Sequence, residues 1–238
     1  MPFTGSHPAA ILPFLRTPLP ASALVAGSLA PDLPYYVPID FPLRTHTALS
    51  VVSTDVVLGT VAWALWHGVL AAPALAASPA GLRARLSGVP GGLRARTSGL
   101  PWVLAAVAVG AATHVLWDEF THPRRWGTAH IPALADTWGL LPGYRWLQYA
   151  SGLVGGIVLL VWVVGWWRRT PSRPAPPGGA RWPWLVLLMV GAVAGGAAAV
   201  SAPSIGAAGF AGATWGGGAA LAAAVVLALG WHARRLTA

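Results

Sequence analysis

The residues with the clearest potential for chemistry lie in the segment 113–123, Thr-His-Val-Leu-Trp-Asp-Glu-Phe-Thr-His-Pro. His114 and Asp118 are four residues apart, and so are Asp118 and His122. Residues four apart share a helix face, so each pair can converge on one ion. His114 and His122 are about 12 Å apart along a helix, too far to bind a single ion directly, but Asp118 can bridge two ions. The alternative is a polar helix end that Pro123 closes.

A second candidate pair is His7 and Asp32. In one straight helix these residues would lie about 38 Å apart. Prolines at positions 13, 18 and 20 interrupt such a helix, so two short helices can fold back as a hairpin that brings His7 near Asp32. The alternative is that His7 is an ordinary N-terminal polar residue and Asp32 only ends a helix.

A third candidate is the run Arg44-Thr45-His46-Thr47. The imidazole of His46 can ligate a metal, and Arg44 can hold an anionic group through paired hydrogen bonds. The alternative is an arginine that extends to a membrane surface beside a hydrogen-bonded histidine. Near the first motif, Glu119 is a further candidate proton acceptor and Arg124 a further candidate anion-binding residue.

The composition places these motifs in a membrane protein. Hydrophobic residues make up 55% of the 238 positions and charged residues only 9%, which is too little polar surface to solvate a globule of this size. We predict an all-α helical bundle of about five spanning helices plus the N-terminal broken hairpin. Each span needs roughly 20 apolar residues, and the predicted spans are 47–72, 100–121, 147–167, 183–202 and 207–231.

The arginines predict the orientation of the chain. The net charge is +9, but the arginines flank apolar segments, which indicates membrane topology and no nucleic-acid partner. The loops 73–99 and 168–182 and the C-terminal tail carry arginines, among them Arg94, Arg96 and Arg235, and no acidic residue. By the positive-inside rule these segments are cytoplasmic, which puts the histidine and aspartate motifs at the extracytoplasmic face.

The motifs also suggest a division of the chain. We predict that residues 1–150 form a membrane-embedded metal-site domain and that 151–238, which is rich in glycine and alanine, completes the bundle. The proline-rich segment 168–182 is the expected hinge. Because the chain has no cysteine, thiolate metal sites and disulfides are excluded.

Four ordered motifs resemble a known family. The segments MPFTGSHPAAILP, GSLAPDLPYY, RTHTALS and GAATHVLWDEFTHP resemble the bacterial membrane proteins grouped as domain of unknown function 4184, over about the first 150 residues. More distantly, the chain is similar to inner-membrane metal-dependent hydrolases. It departs from their pattern at Pro34, where those proteins have an acid, and at Thr47, where they have serine.

That hydrolase group is in turn similar to zinc-dependent phospholipases C and single-strand nucleases. The resemblance implies that His114 is a terminal metal ligand and Asp118 a bridging one. The remaining candidate ligands that it implies are His7, Asp32, His46 and His122.

The motifs and the resemblance together favour a metal-dependent hydrolase of the bacterial inner membrane. A histidine and aspartate set without cysteine suits Zn²⁺, and one or more ions would activate water against a phosphoester of a lipid or lipid-linked substrate. The expected proton acceptors are Asp118, Asp32 or Glu119, and the oxyanion would be stabilised by Arg44 or Arg124. The alternatives are a membrane protein that binds metal for structure or transport and a scaffold without metal.

Overall fold

The computed structural model describes residues 4–37, 43–87, 99–175 and 177–237. Over these residues the fold is all-α, as predicted, apart from a two-stranded hairpin of Thr137–Trp138 (β1) and Leu141–Pro142 (β2). A long 3₁₀-helix, Thr4–Arg16, opens the described chain. The α-helices are α1 Ala21–Leu29, α2 Leu33–Tyr36, α3 Thr54–Leu65, α4 Ala71–Ala76, α5 Ala80–Leu86, α6 Leu100–Thr121, α7 Trp126–His130, α8 Pro132–Ala135, α9 Gly143–Arg169, α10 Trp182–Val200 and α11 Ile205–Leu236.

The N-terminal hairpin is confirmed. Pro8 and Pro13 lie inside the 3₁₀-helix, and Pro20 directly precedes α1 in an extended conformation. Because proline lacks an N–H and disfavours a helical conformation in the residue before it, these positions prevent one continuous α-helix. The 3₁₀-helix packs against α1, which a short 3₁₀ turn, Ala30–Asp32, extends.

Helices α1 and α6 pack with their backbones in close contact at two glycines. A Cβ on Gly27 would lie 2.1 Å from the carbonyl oxygen of Val107, and a Cβ on Gly110 would lie 2.2 Å from that of Leu24. Only glycine allows this approach without a shift of the backbone. The contact fixes the end of α1, and therefore Asp32, against the C-terminal half of α6.

Among the described residues, five helical segments are long and apolar enough to cross a membrane: Thr54–Ala76, Leu100–His130, Gly143–Arg169, Trp182–Val200 and Ile205–Leu236. They make the fold compatible with a multi-pass membrane protein, as predicted. The first begins at Thr54 and not at residue 47, because Thr47 and Ser50 exchange side-chain hydrogen bonds with each other's backbone N–H at 2.9 and 3.0 Å. Such local bonds compete with helix formation.

The chain forms two compact units. The first comprises Met1–Leu33, Asp40–Trp63 and Gly99–Gly165, and the second comprises Pro34–Ile39, Ala64–Ser98 and Trp166–Ala238. Within the second unit, α10 and α11 pack through glycines, since a Cβ on Gly195 would lie 2.6 Å from the carbonyl oxygen of Gly212. The functional division at residues 150 and 151 stays a prediction, and Arg94 and Arg96 lie outside the described residues.

Candidate metal centre

Four segments of the first unit bring five of the six predicted ligands together. The 3₁₀-helix supplies His7, the turn after α1 supplies Asp32, the loop before α3 supplies His46, and α6 supplies His114 and Asp118. All five side chains are buried, with residue exposures between 0% and 7%. Ionisable residues buried in a membrane protein are costly and usually functional, so this cluster is the candidate site.

The five residues form two overlapping groups of three. His7, Asp32 and His114 each offer one ligand atom, and these atoms all lie within 4.8 Å of one another. His46, His114 and Asp118 satisfy the same condition. We call these the N-terminal triad and the loop triad, and His114 belongs to both.

The ring of His114 is held by the backbone. Its Nδ1 donates a hydrogen bond to the carbonyl oxygen of Ser28 at 2.7 Å, so the proton of the neutral ring lies on Nδ1. Its Nε2 is buried without a hydrogen bond, 3.6 Å from Asp32 Oδ1 and 3.5 Å from Asp118 Oδ2. A backbone acceptor on one nitrogen and a lone pair on the other is the usual arrangement of a metal-ligating histidine.

Asp118 contacts histidines through both carboxylate oxygens. Its Oδ2 lies 3.5 Å from Nε2 of both His46 and His114, and its Oδ1 lies 3.7 Å from His7 Nε2 and 3.2 Å from His122 Nδ1. Despite these distances, Oδ1 makes no hydrogen bond of acceptable geometry. This carboxylate can therefore reach ligands of both triads.

Asp32 is held as a carboxylate by its neighbours. Its Oδ1 lies 3.1 Å from His46 Nε2, and its Oδ2 accepts a hydrogen bond from Thr4 Oγ1 at 2.5 Å. Burial acts to raise the pKa of Asp32, but the hydrogen bonds with His46 and with the Thr4 hydroxyl are among the contacts that outweigh it and lower the pKa below its usual value. The group is thus in the form that binds a cation.

His7 lies against His114 with its ring stacked, the ring centroids 3.6 Å apart and the planes inclined by 13°. Burial is the largest cause that lowers the pKa of His7, to about 4. Its Nδ1 is buried without a hydrogen bond. His7 is therefore a neutral imidazole with an unsatisfied nitrogen inside the cluster.

His46 occupies an unusual backbone conformation. Its φ of +62° lies in the left-handed region, which is uncommon for residues other than glycine. The guanidinium of Arg125 donates a hydrogen bond to the carbonyl oxygen of His46, and the hydroxyl of Thr45 lies 2.9 Å from His46 Nδ1. Strained backbone persists only where its surroundings hold it, and such positions concentrate at functional sites.

His122 contacts the cluster but belongs to neither triad. Its Nε2 accepts a hydrogen bond from Nε2 of Gln148 at 3.0 Å, so Nδ1 carries the proton and faces Asp118. The side chain is 22% exposed, more than that of any triad member. This geometry suits a residue that orients Asp118.

The other three predicted catalytic residues lie apart from the triads. Glu119 faces away from Asp118 and accepts a hydrogen bond from the backbone N–H of Trp126 at 2.8 Å, and it pairs with Arg125 at 3.4 Å. Arg44 and Arg124 are exposed. Their predicted roles in binding an anion are not supported by a contact with the cluster and stay predictions.

Sequence reasoning missed the groups that position the ligands. They are the Thr4 hydroxyl, the Ser28 carbonyl, the Arg125 guanidinium and the Gln148 amide. Gln148 had a sequence signal, because it is a lone amide near the start of an apolar helix and is buried at 6% exposure. The role of a backbone carbonyl, such as that of Ser28, leaves no signal in the sequence.

Asp55 forms a separate buried contact. Its Oδ2 accepts a hydrogen bond from the Ser50 hydroxyl at 2.6 Å, and its Oδ1 has no partner. It lies in the first turn of α3 and in neither triad. His130 and Asp136 are both exposed, and the ring of His130 stacks on Trp126.

The donor atoms suit a divalent cation. Four of them form a ring of contacts: Asp32 Oδ1 to His46 Nε2 at 3.1 Å, His46 Nε2 to Asp118 Oδ2 at 3.5 Å, Asp118 Oδ2 to His114 Nε2 at 3.5 Å, and His114 Nε2 to Asp32 Oδ1 at 3.6 Å. Ligands bound tetrahedrally to zinc at about 2.0 to 2.1 Å lie about 3.3 Å from one another. The four neighbouring distances in the ring are close to that spacing.

Buried polar atoms without hydrogen bonds also indicate a metal site. Within the described part of the chain, five buried side-chain atoms lack a hydrogen bond, and three of them, His7 Nδ1, His114 Nε2 and Asp118 Oδ1, belong to this cluster. Each such atom costs roughly 1 to 3 kcal/mol when it stays unpaired. The residues present therefore fit a metal ion.

Fold and cluster define a class: a helical protein compatible with multiple membrane crossings, whose buried histidines and aspartates could hold a metal ion. The chain belongs to the family described as Domain of unknown function (DUF4184), whose model matches residues 1–231. The match extends well beyond the first 150 residues that carry the four motifs. Neither a curated protein nor a solved structure matches the chain significantly. The more distant similarity to metal-dependent hydrolases has no support in these comparisons.

Proposed function

We propose that the cluster binds divalent metal, with Zn²⁺ as the best-suited ion, and that the protein hydrolyses a phosphoester or related ester of a lipid or lipid-linked substrate. The observation that carries the proposal is the pair of buried triads that share His114, whose Nε2 is presented by the Ser28 carbonyl and otherwise unsatisfied. Nitrogen and oxygen ligands without thiolate match the preference of zinc in hydrolytic sites.

The ligands would be His7, Asp32, His46, His114 and Asp118. A bound divalent cation supplies Lewis acidity and lowers the pKa of water, which is the chemistry that hydrolysis at neutral pH requires. The protein contributes orientation: Thr4 holds Asp32 through its hydroxyl, and His122 lies against Asp118. Outer contacts of this kind fix the ligands and tune their basicity.

The exposed side of the cluster is the expected entrance for substrate. The side chains of Asp32, His46, His114 and Asp118 are 0 to 4% exposed, that of His7 is 9% exposed and that of His122 is 22% exposed. His122 therefore lies between Asp118 and solvent. We assign it the transfer of a proton between the cluster and solvent during hydrolysis.

The depth of the cluster supports a lipid substrate. Asp118 lies in the last turn of α6, and His46 precedes the span that begins at Thr54. Both positions are at the ends of apolar segments, where ester and phosphate groups of lipids meet the hydrocarbon core. The arginine distribution supports the extracytoplasmic leaflet of the bacterial inner membrane.

A second candidate function is metal binding without catalysis. The ring of four donor atoms favours it, because structural zinc sites use four protein ligands whereas catalytic sites keep a position open for water. In that case His7, the fifth member, would pack against the site through its stacked ring and would not be a ligand.

Metal content and turnover together test the proposal. The protein would be purified in detergent and supplied with Zn²⁺, and bound metal would be measured by mass spectrometry for the wild type, Asp118→Ala and a control, Asp136→Ala, that removes an exposed carboxyl. We expect stoichiometric zinc in the wild type and the control and its loss in Asp118→Ala. A wild type that retains no metal would refute the site.

Hydrolysis is tested on the same samples. Release of phosphate or alcohol would be followed with phospholipid vesicles and with soluble phosphoesters. Zinc-dependent release by the wild type and by Asp136→Ala, but not by Asp118→Ala, is the expected result. Stoichiometric metal without hydrolysis of any of these esters would favour the non-catalytic alternative.

A further inference from the structure

The second unit contains a cavity of about 590 Å³ that the candidate metal centre does not use. It is bordered by α4, by the N-terminal part of α10 and by the C-terminal half of α11. The indole N–H of Trp184 donates a hydrogen bond to the carbonyl oxygen of Ala77 at 2.9 Å, which ties α10 to the end of α4 at the cavity wall. Almost all of the lining is apolar.

The polarity of the cavity is ordered along α11. Leu221, Ala224 and Ala228 line one part, Trp231 follows, and Arg235 lies at the end. These positions are three or four residues apart and therefore form one face of the helix. Leu221 and Trp231 are separated by about 15 Å of helical rise, which equals half of the roughly 30 Å hydrocarbon core of a bilayer. The apolar part thus has the depth of one leaflet.

The charged end lies where a lipid headgroup would lie. Both Arg234 and Arg235 line the cavity, and the guanidinium of Arg235 stacks on Trp231 with 4.1 Å between Cζ and the ring centroid. Tryptophan and arginine are typical of the membrane interface, at the level of phosphate groups. The cavity is therefore apolar along one part and charged at its end, as a phospholipid is, and its apolar part is about as long as one leaflet is thick.

The charge of this unit selects among phospholipids. Eight of the 15 arginines of the chain lie among the described residues of this unit, and none of those residues is acidic. The arginines at the cavity therefore have no aspartate or glutamate side chain among the described residues of their own unit to pair with. The positive-inside rule accounts for arginines at this membrane face, but not for an apolar cavity that ends at two of them.

We propose that this cavity binds an anionic phospholipid of the surrounding bilayer, with one acyl chain along α11 from Trp231 to Leu221 and the phosphate at Arg234 and Arg235. Basic pockets between membrane helices bind anionic headgroups through the same charge complementarity. A zwitterionic lipid carries a positive group beside its phosphate and gains less from the two arginines. The inference is independent of the metal centre.

The test compares phosphatidylglycerol with phosphatidylcholine. The full-length protein in detergent would be incubated with an equimolar mixture of the two lipids, and the retained lipid would be identified by native mass spectrometry. We expect phosphatidylglycerol to be retained in preference by roughly tenfold. Equal retention of the two lipids by the wild type would overturn the proposal without reference to any variant.

Matched variants locate the binding site. Arg234→Gln combined with Arg235→Gln should abolish the preference, whereas Arg168→Gln combined with Arg169→Gln, an equal charge change at the end of α9 and outside the cavity lining, should keep it. Ala224→Phe fills the cavity and should reduce retention of phosphatidylglycerol, and Ala222→Phe, on an exposed position of the same helix, should not. A preference that survives both cavity changes in protein that elutes as a single folded peak would refute the assignment.

Discussion

The carbonyl oxygen of Ser28 accepts a hydrogen bond from Nδ1 of His114, across 86 positions of sequence. This bond joins α1 to α6 and sets which nitrogen of His114 enters the cluster. It depends on the close approach of the two helices at Gly27 and Gly110. The geometry of the candidate metal centre is thus coupled to helix packing one turn away.

Replacing Gly27 by alanine should disturb both packing and metal binding. The new Cβ would lie 2.1 Å from the carbonyl oxygen of Val107, so α1 must move away from α6. We expect a loss of about 1 to 3 kcal/mol in the free energy of unfolding, as for other overpacked positions, together with weaker zinc binding. The control is Gly5→Ala, because nothing lies within 4 Å of a Cβ there. Unchanged thermal stability in Gly27→Ala would contradict the packing argument.

Replacing Asp118 by asparagine tests the bridging carboxylate with little change in volume. Both oxygens of Asp118 face histidine nitrogens, so the loss of its charge should reduce bound zinc at least tenfold. The same change at an exposed carboxylate, Asp136→Asn, is the matched control, because Asp136 lies in neither triad. Bound metal measured by mass spectrometry should stay unchanged in that control. Equal metal loss in both variants would indicate a general structural effect.

Replacing Gln148 by leucine tests the outer contact of the site. Without the amide, His122 loses the hydrogen bond at Nε2 that fixes its proton on Nδ1. We expect the dissociation constant for zinc to rise about 10 to 100-fold, with full occupancy recovered at high zinc concentration. Competition titration with a chelating dye measures this shift. Tyr149→Phe, the adjacent exposed position, should bind zinc like the wild type, and a Gln148→Leu protein that does so too would remove Gln148 from the site.

Reporter fusions test the predicted orientation. A reporter fused after Arg235 should behave as cytoplasmic and one inserted near Ala133 as extracytoplasmic, because the arginine-rich loops remain inside. Alkaline phosphatase and green fluorescent protein fusions give opposite signals for the two sides. The reverse pattern would place the cluster at the cytoplasmic face and change the accessible substrates.

Much of the site could be predicted from spacing and from proline positions. The four-residue interval joined His114 to Asp118, and the prolines at 13, 18 and 20 indicated the turn that brings His7 to Asp32. Helical periodicity finds side chains that share a face. It also made His122 a candidate ligand, which stays a prediction, but spacing does not show that Gln148 engages Nε2 of that ring.

The remaining differences have local causes. The first span starts later than its hydropathy indicates, since Thr47 and Ser50 hydrogen-bond to each other's backbone. Arg125 contacts the loop that carries His46, while the adjacent Arg124 faces solvent. The turn after α6 determines which of the two arginines reaches that loop. Pro123 ends that helix by forcing His122 into an extended conformation, but the direction of the following chain is set by tertiary contacts.

The shared position of His114 limits how the cluster can fill. A neutral imidazole with its proton on Nδ1 has one lone pair, on Nε2, and that pair can coordinate only one ion at a time. A first ion can therefore bind at one triad or the other, but His114 cannot serve both. A second ion would bind at the remaining triad without His114. Titration with zinc should accordingly show one equivalent bound with high affinity and at most one further equivalent bound much more weakly. The measured ratio of zinc to protein will therefore depend on the concentration of free zinc.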